Sequence, residues 1–115
     1  AVDVSFGLAN DENPAKCGTL GNGPMIGISP SLSAEVSHAL QEAANEAQIA
    51  WQPEVMAGTT GTNADQFSVT RDGVKACTVS IPLRYMHTPA EVIALADVKA
   101  TGDLLAAYLR RCTIC

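Results

Sequence analysis

Val74-Lys75-Ala76-Cys77-Thr78-Val79-Ser80-Ile81-Pro82 is the stretch on which the class of fold turns. From 74 to 81 it is apolar and β-branched on both faces, the pattern of a strand buried on both sides of a sheet. Pro82 lacks a backbone N–H and is expected to end that strand. Upstream, Ala1-Val2-Asp3-Val4-Ser5-Phe6 alternates apolar and polar residues with period two, which predicts a strand with Asp3 directed away from the apolar face. Residues 7–24 are rich in Gly, Asn, Asp and Pro and end in Gly21-Asn22-Gly23-Pro24, a loop closing in a turn ahead of a short strand over 25–28. Ser33 can cap a helix over 34–48, in which Val36, Leu40, Ala43, Ala44 and Ala47 recur at helical spacing and Glu35, Gln41, Glu42 and Asn45 face outward.

Residues 51–56 read as a strand, with Pro53 placing it at an edge or a bulge because proline donates no ladder bond. The loop over 57–65 is built of small residues and leads into a short helix through Phe67 and Val69; Arg71-Asp72-Gly73 is a turn. After a loop over 83–89 and a strand over 91–95, Asp97 can cap a final helix with Val98, Leu105, Leu109 and Cys112 on one face and Gly102 weakening it. Strands alternating with two helices predict an α/β fold with a mixed or mainly parallel sheet.

The 115 residues suffice for one domain, and 47% apolar with 17% charged residues suffices for a core. Seven Lys and Arg against twelve Asp and Glu give a net charge of −5, the wrong sign for nucleic acid. The longest apolar stretch, 104–109, falls far short of the roughly 20 residues of a membrane span, so no membrane is expected as a partner. Cysteines stand at 17, 77, 112 and 115 and are expected to be reduced thiols of a cytoplasmic protein. Cys112 and Cys115 form a single CxxC with no second ligand pair nearby, whereas zinc takes about four ligands, so tail cysteines without a metal are the expectation. The chain opens inside a strand and without Met, which leads to the expectation of a fragment with exposed sheet edges that favour association.

Chemistry-bearing residues are few. His38 falls off the apolar stripe of the first helix and reads as solvated. His87 follows a buried strand, where α/β proteins place functional residues, although a hydrogen-bonded structural role fits the spacing as well. Asp3 alone could be a ligand, an acid or base, or a residue of a wet strand face. The 58–65 loop carries no Lys and is no Walker-type cradle, and neither a Gly-x-Ser-x-Gly elbow nor an HExxH motif occurs.

The run Val79-Ser80-Ile81-Pro82-Leu83-Arg84-Tyr85-Met86-His87-Thr88-Pro89-Ala90-Glu91-Val92, followed by Ala96-Asp97-Val98, resembles the C-terminal signature of the tetrahedral (TET), glutamyl-aminopeptidase and endoglucanase-like family of dinuclear metallopeptidases. Val2-Asp3-Val4, Gly21-Asn22-Gly23-Pro24, the Ser33 helix, Gly61-Thr62-Asn63-Ala64-Asp65 and Arg71-Asp72-Gly73-Val74 agree with it in order, over nearly the whole chain. The resemblance implies the C-terminal part of a zinc-exopeptidase-like catalytic domain, a mixed sheet flanked by helices. It further implies hydrolysis of N-terminal residues from peptides through a water activated by two divalent metals, zinc or cobalt, and homo-oligomers that are dodecamers in full-length members. Residue by residue, Asp3 matches a ligand of one metal and His87 a ligand of the other. Gly61 and Thr62 match a motif lining the substrate cleft, with Asn63 standing where the family usually has Asp, and Arg84 and Tyr85 match the surroundings of His87. The catalytic glutamate, the bridging aspartate, a further histidine and an inserted oligomerisation domain precede these motifs in the family, so this chain is expected to bind metal weakly and to be inactive alone. A non-catalytic binding or assembly module on the same fold, and a family hydrolase acting on glycosidic bonds, are the competing readings; one Trp and two Tyr offer little for sugar stacking.

Overall fold

The computed structural model describes residues 1–10 and 12–112. In chain order the elements are β1 (Val2–Phe6), β2 (Met25–Ile28), α1 (Ala34–Glu46), β3 (Gln52–Val55), α2 (Asn63–Ser68), β4 (Val79–Arg84), β5 (Val92–Ile93) and α3 (Leu95–Arg111). Four strands lie in the order β1-β4-β2-β3, and β5 pairs with β4. The sheet is mixed: β1 runs parallel to β4 and β3 parallel to β2, whereas β2 and β5 are antiparallel to β4.

The buried strand is shorter and later than the sequence suggests, and Pro82 lies inside it. Residues 74–78 lie outside it: Ala76 O accepts from Ser33 N at 2.8 Å and Cys77 O from the Ala1 ammonium at 2.7 Å, while Thr78 O accepts from Gly27 N of β2 at 3.0 Å. Val74 is largely exposed. Val79 N donates to Ala1 O and Leu83 O accepts from Gly7 N, so residues 79, 81 and 83 turn their backbone groups toward β1. The nitrogen of Pro82 therefore faces the opposite edge, where pairing with β2 stops at Ser80 and pairing with β5 begins at Leu83. No ladder bond is lost there, which is why proline is tolerated in a central strand. Pro53 follows the same rule on edge strand β3: Gln52 N donates to Pro24 O, just before β2, and Met56 N to Ile28 O of β2, leaving the Pro53 nitrogen on the open side.

Both long helices pack on one face of the sheet. Ile26, Leu40, Ala43, Ala44, Cys77, Val79 and Leu104 form the core, with Val36, Trp51, Leu105 and Tyr108 around it. Ser33 caps α1, as the sequence suggests. The final helix differs from expectation. It starts at Leu95 with Ala94 as its cap, and Asp97 lies in its first turn, 1% exposed. The Asp97 carboxylate accepts from Gly21 N at 2.8 Å and Gly23 N at 2.9 Å, so it holds a distant turn rather than its own helix end. The inward face is consequently Asp97, Thr101 and Leu104 with Tyr108, while Val98, Leu109 and Cys112 are exposed. Cys115, the second half of the CxxC, lies outside the described residues; Cys17, Cys77 and Cys112 are free thiols. Gly23 has φ +89°, and a Cβ there would lie 1.9 Å from Ala50 O, so glycine is required at the turn that Asp97 grips.

Among the described residues no helix is long and apolar enough to cross a membrane. The edge strand β1 leaves Val2 and Phe6 each 53% exposed.

Replacing Asp97 by Ala removes the acceptor of the buried Gly23 N and of the more exposed Gly21 N, and hydrogen bonds to charged groups contribute about 1.5–3 kcal/mol each. Urea unfolding of Asp97→Ala is expected to show a loss of at least about 2 kcal/mol. Asp103→Ala, which removes an exposed pairing with Lys99 on the same helix, is expected to change stability by less than about 0.5 kcal/mol.

Candidate functional site

Strand register divides the sheet into an apolar face and a polar one. Val2 pairs with Val79 and Val79 with Ile26, the latter two in the core beneath the helices. Their neighbours Asp3, Ser80, Met25, Gln52 and Glu54 alternate to the other face, where register aligns Asp3 with Ser80, Ser80 with Met25, and Gly27 with Glu54. A cleft of about 300 Å³ lies on that side, bordered by Asp3, Glu54, Thr60, Gly61, Thr62 and His87 and completed by Val4, Ser5, Phe6 and Met86. Because β2 and β4 are antiparallel and β3 follows β2, the loops after β3 and β4 leave opposite ends of the sheet, yet both border this cleft.

Asp3 sits on the exposed edge strand, where Val4 N donates to its Oδ1 at 2.8 Å. His87 is carried by the turn that follows β4, with Tyr85 at φ +61° and His87 itself at φ +62°. Two non-glycine residues in the left-handed region cost on the order of 1–3 kcal/mol each and persist only where the surroundings hold them. Here His87 N donates to Glu91 Oε1 at 2.7 Å, and Thr88 closes the turn onto Tyr85 O through both its N–H and its hydroxyl. Glu54 is fixed by Ser80, which is 1% exposed and donates its hydroxyl to Glu54 Oε2 at 2.8 Å. On the loop side, Asp65 accepts from Thr60 N and Gly61 N, and these bonds, led by that from Thr60, hold its carboxyl below the usual range.

Of the residues singled out in the sequence, Asp3, His87, Gly61 and Thr62 come together at the cleft. Asn63 opens α2 and is exposed. Arg84 donates from Nε to Leu8 O at 2.7 Å and ties the first loop to the end of β4, and Tyr85 is half exposed; neither borders the cleft. Glu54 and Thr60 were not singled out. For Glu54 a signal existed: alternation along 52–55 sets Gln52 and Glu54 on one face, and a carboxylate on the covered side of a strand needs a partner.

Carboxylate oxygen and imidazole nitrogen are ordinary ligands of divalent metals, so the donors at the cleft suit such an ion. The set is short, however: among the described residues no three His, Cys, Asp or Glu side chains group closely enough to hold a metal, and a catalytic zinc takes about three protein ligands.

Comparison with known proteins agrees with this architecture. The chain is 32% identical over 109 residues to the lysyl aminopeptidase of Pyrococcus furiosus, covering 95% of this chain and 32% of that protein. It superposes with a TM-score of 0.88 on the aminopeptidase APDkam598 of the archaeon Desulfurococcus kamchatkensis, at 29% identity over 97% of this chain and 33% of that one. The TET1 peptidase of Pyrococcus horikoshii, which can assemble into a tetrahedron or a large octahedral shell, matches with a TM-score of 0.70 and 26% identity over 92% of this chain and 31% of that one. The chain thus spans about a third of the length of the relatives it matches. The family model of the M42 glutamyl aminopeptidases matches residues 1–104, and the chain belongs to that family.

Proposed function

We propose that this chain is the C-terminal part of the catalytic domain of a metal-dependent aminopeptidase, in which Asp3 ligates one of two divalent metals and His87 the other. One observation carries the reading: a carboxylate from the first strand and an imidazole from the strained turn after β4 border a single cleft on the side of the sheet away from the two long helices. Two metals, zinc or cobalt, when bound lower the pKa of a shared water and stabilise the developing oxyanion. The chain's own residues do the holding. Asp3 offers carboxylate oxygens and His87 an imidazole nitrogen, both ordinary ligands of divalent metals. Gly61 and Thr62, with Asn63 behind them, form the wall along which the N-terminal residue of a peptide lies. Arg84 and Tyr85 shape the turn that presents His87, Arg84 by holding Leu8 O. The remaining ligands and the catalytic glutamate belong to the other two thirds of the protein, consistent with the short donor set.

The same reading makes the enzyme a cytosolic homo-oligomer of the shell-forming kind and peptides its substrates, supported by the lysyl aminopeptidase and the TET1 peptidase among its relatives. A non-catalytic assembly module on this fold is the second reading, with which the short donor set is equally consistent.

In the full-length protein, Asp3→Asn and His87→Ala are each expected to lower kcat/KM for aminoacyl p-nitroanilides at least about 100-fold, or about 2.7 kcal/mol. Bound metal should fall from about two ions per chain to about one. Unchanged turnover in both variants would refute the ligand assignment. The 115-residue chain alone is expected to show no chelator-sensitive turnover, and finding it would refute the fragment reading.

A further inference from the structure

The wall of the cleft at 60–62 has little of its own to hold it in place. Residues 57–61 are Ala, Gly, Thr, Thr and Gly, they are mostly exposed, and Gly61 sits at φ +69° with open space around it. Chain of this composition samples many conformations unless something external removes that freedom. One side chain supplies the restraint from two directions. Asp65, in the first turn of α2, reaches back over the loop: its Oδ1 accepts from Thr60 N at 2.9 Å and its Oδ2 from Gly61 N at 2.9 Å. Oδ1 also accepts the hydroxyl of Ser31 at 3.1 Å. Ser31 is itself anchored, with its N–H donating to Ser29 Oγ at 3.1 Å, while the Ser29 hydroxyl donates to Gly58 O. The carboxylate therefore ties the loop at 60–61 to the segment leaving β2, and Ser29 ties the same segment to the loop at 58.

Beyond that tether the order is passed along the backbone. Thr62 N donates to Thr60 Oγ1 at 3.1 Å, the two threonine hydroxyls share a hydrogen bond of 2.8 Å, and Thr62 Oγ1 caps α2 through Ala64 N. Fixing Thr60 and Gly61 thus fixes Thr62, and all three border the cleft. Among the described residues no ion pair involves Asp65; its carboxylate is met by the N–H groups of Thr60 and Gly61 and the hydroxyl of Ser31, and it does not border the cleft. The donors keep it ionised below the range of an ordinary aspartate, so the tether is present above that range and is lost only as pH falls below it.

We propose that Asp65 is the positioning residue of the substrate wall, holding the 60–62 loop against the cleft through the amides of Thr60 and Gly61; this rests on the aminopeptidase reading above. Substrate should therefore be held less well without Asp65, with the chemistry at the metal ligands left intact.

The test is Asp65→Ala in the full-length protein, read by amide hydrogen exchange and by steady-state kinetics on leucine and lysine p-nitroanilide. Exchange at Thr60 and Gly61 should rise at least about tenfold, with amides of α1 and β4 unchanged. KM should rise about tenfold with kcat within about twofold. Asp65→Asn, which keeps one acceptor oxygen, should fall between Ala and the parent. Unchanged exchange at both amides overturns the tether, and an equal fall in kcat and kcat/KM overturns the substrate role. Should the parent protein hydrolyse neither substrate, the aminopeptidase reading fails, and with it the substrate role, while the exchange pattern still decides the tether.

Discussion

The register of β4 is the constraint on which the rest of the structure depends. That one strand is paired on one side with β1 over its length and on the other with β2 and then β5. A strand slipped by a single residue would send Val79 to the wet face and Ser80 into the core beneath the helices, so burial of Val79 against Ile26, Leu40 and Leu104 sets the register strongly. Once it is set, Asp3 must lie beside Ser80, Ser80 must meet Glu54, and the turn that carries His87 must begin where β4 ends. The hydrophobic face thereby determines where the polar groups of the cleft stand. Pro82 belongs to the same logic, since its missing donor falls in the gap between two partner strands.

A second tie acts at the opposite side of the core. Asp97 is a buried carboxylate that accepts two backbone N–H groups from the Gly21-Asn22-Gly23 turn, and that turn delivers the chain into β2. A buried carboxyl is tolerated when its lone pairs are met by well-aligned donors, and here both oxygens accept from backbone N–H groups, one of them buried. Asp65 repeats the device at the surface. In both places a carboxylate in the first turn of a helix gathers the amides of a glycine-containing loop, at 21–23 under α3 and at 60–61 beside α2. The first locks a piece of the fold and the second shapes a wall of the cleft. The strained turn at Tyr85 and His87 is held by a third carboxylate, Glu91, through His87 N.

Much of the fold was legible in local pattern. The period-two run at 1–6, the Ser33 cap with an apolar stripe through Val36, Leu40, Ala43 and Ala44, the edge placement implied by Pro53 and the small-residue loop before α2 all follow from backbone propensity and side-chain spacing and appear in the structure, whereas Ala47, expected on that stripe, is the exposed C-cap of a helix that ends at Glu46. Less legible were features that depend on a partner far along the chain. Residues 74–78 look like strand because they are largely apolar, but the carbonyls of Ala76 and Cys77 are claimed by Ser33 N and the Ala1 ammonium, and only Thr78 O meets β2, through Gly27 N. Asp97 looks like a cap because aspartate commonly is one, yet its acceptors serve residues more than seventy positions away. The α3 stripe was misread for the same reason, since the burial of Asp97 rotates the inward face to Thr101 and Leu104. At the cleft, Asp3, Gly61, Thr62 and His87 were singled out through motif resemblance; the side of the sheet that Glu54 takes was legible in strand alternation, whereas its pairing with Ser80 and the grip of Asp65 on Thr60 N and Gly61 N came only from contacts across the sheet and loop.

The sequence by itself determined the α/β class, the positions of most elements and the membership of a peptidase family, because periodicity, capping and turn chemistry are local and motifs are read in order along the chain. The tertiary structure alone decided which face of the sheet carries the cleft, that loops from opposite ends of the sheet border it, and which carboxylates hold backbone in place. Those outcomes depend on strand register and antiparallel pairing, which bring together residues whose distance along the chain says nothing of their distance in space.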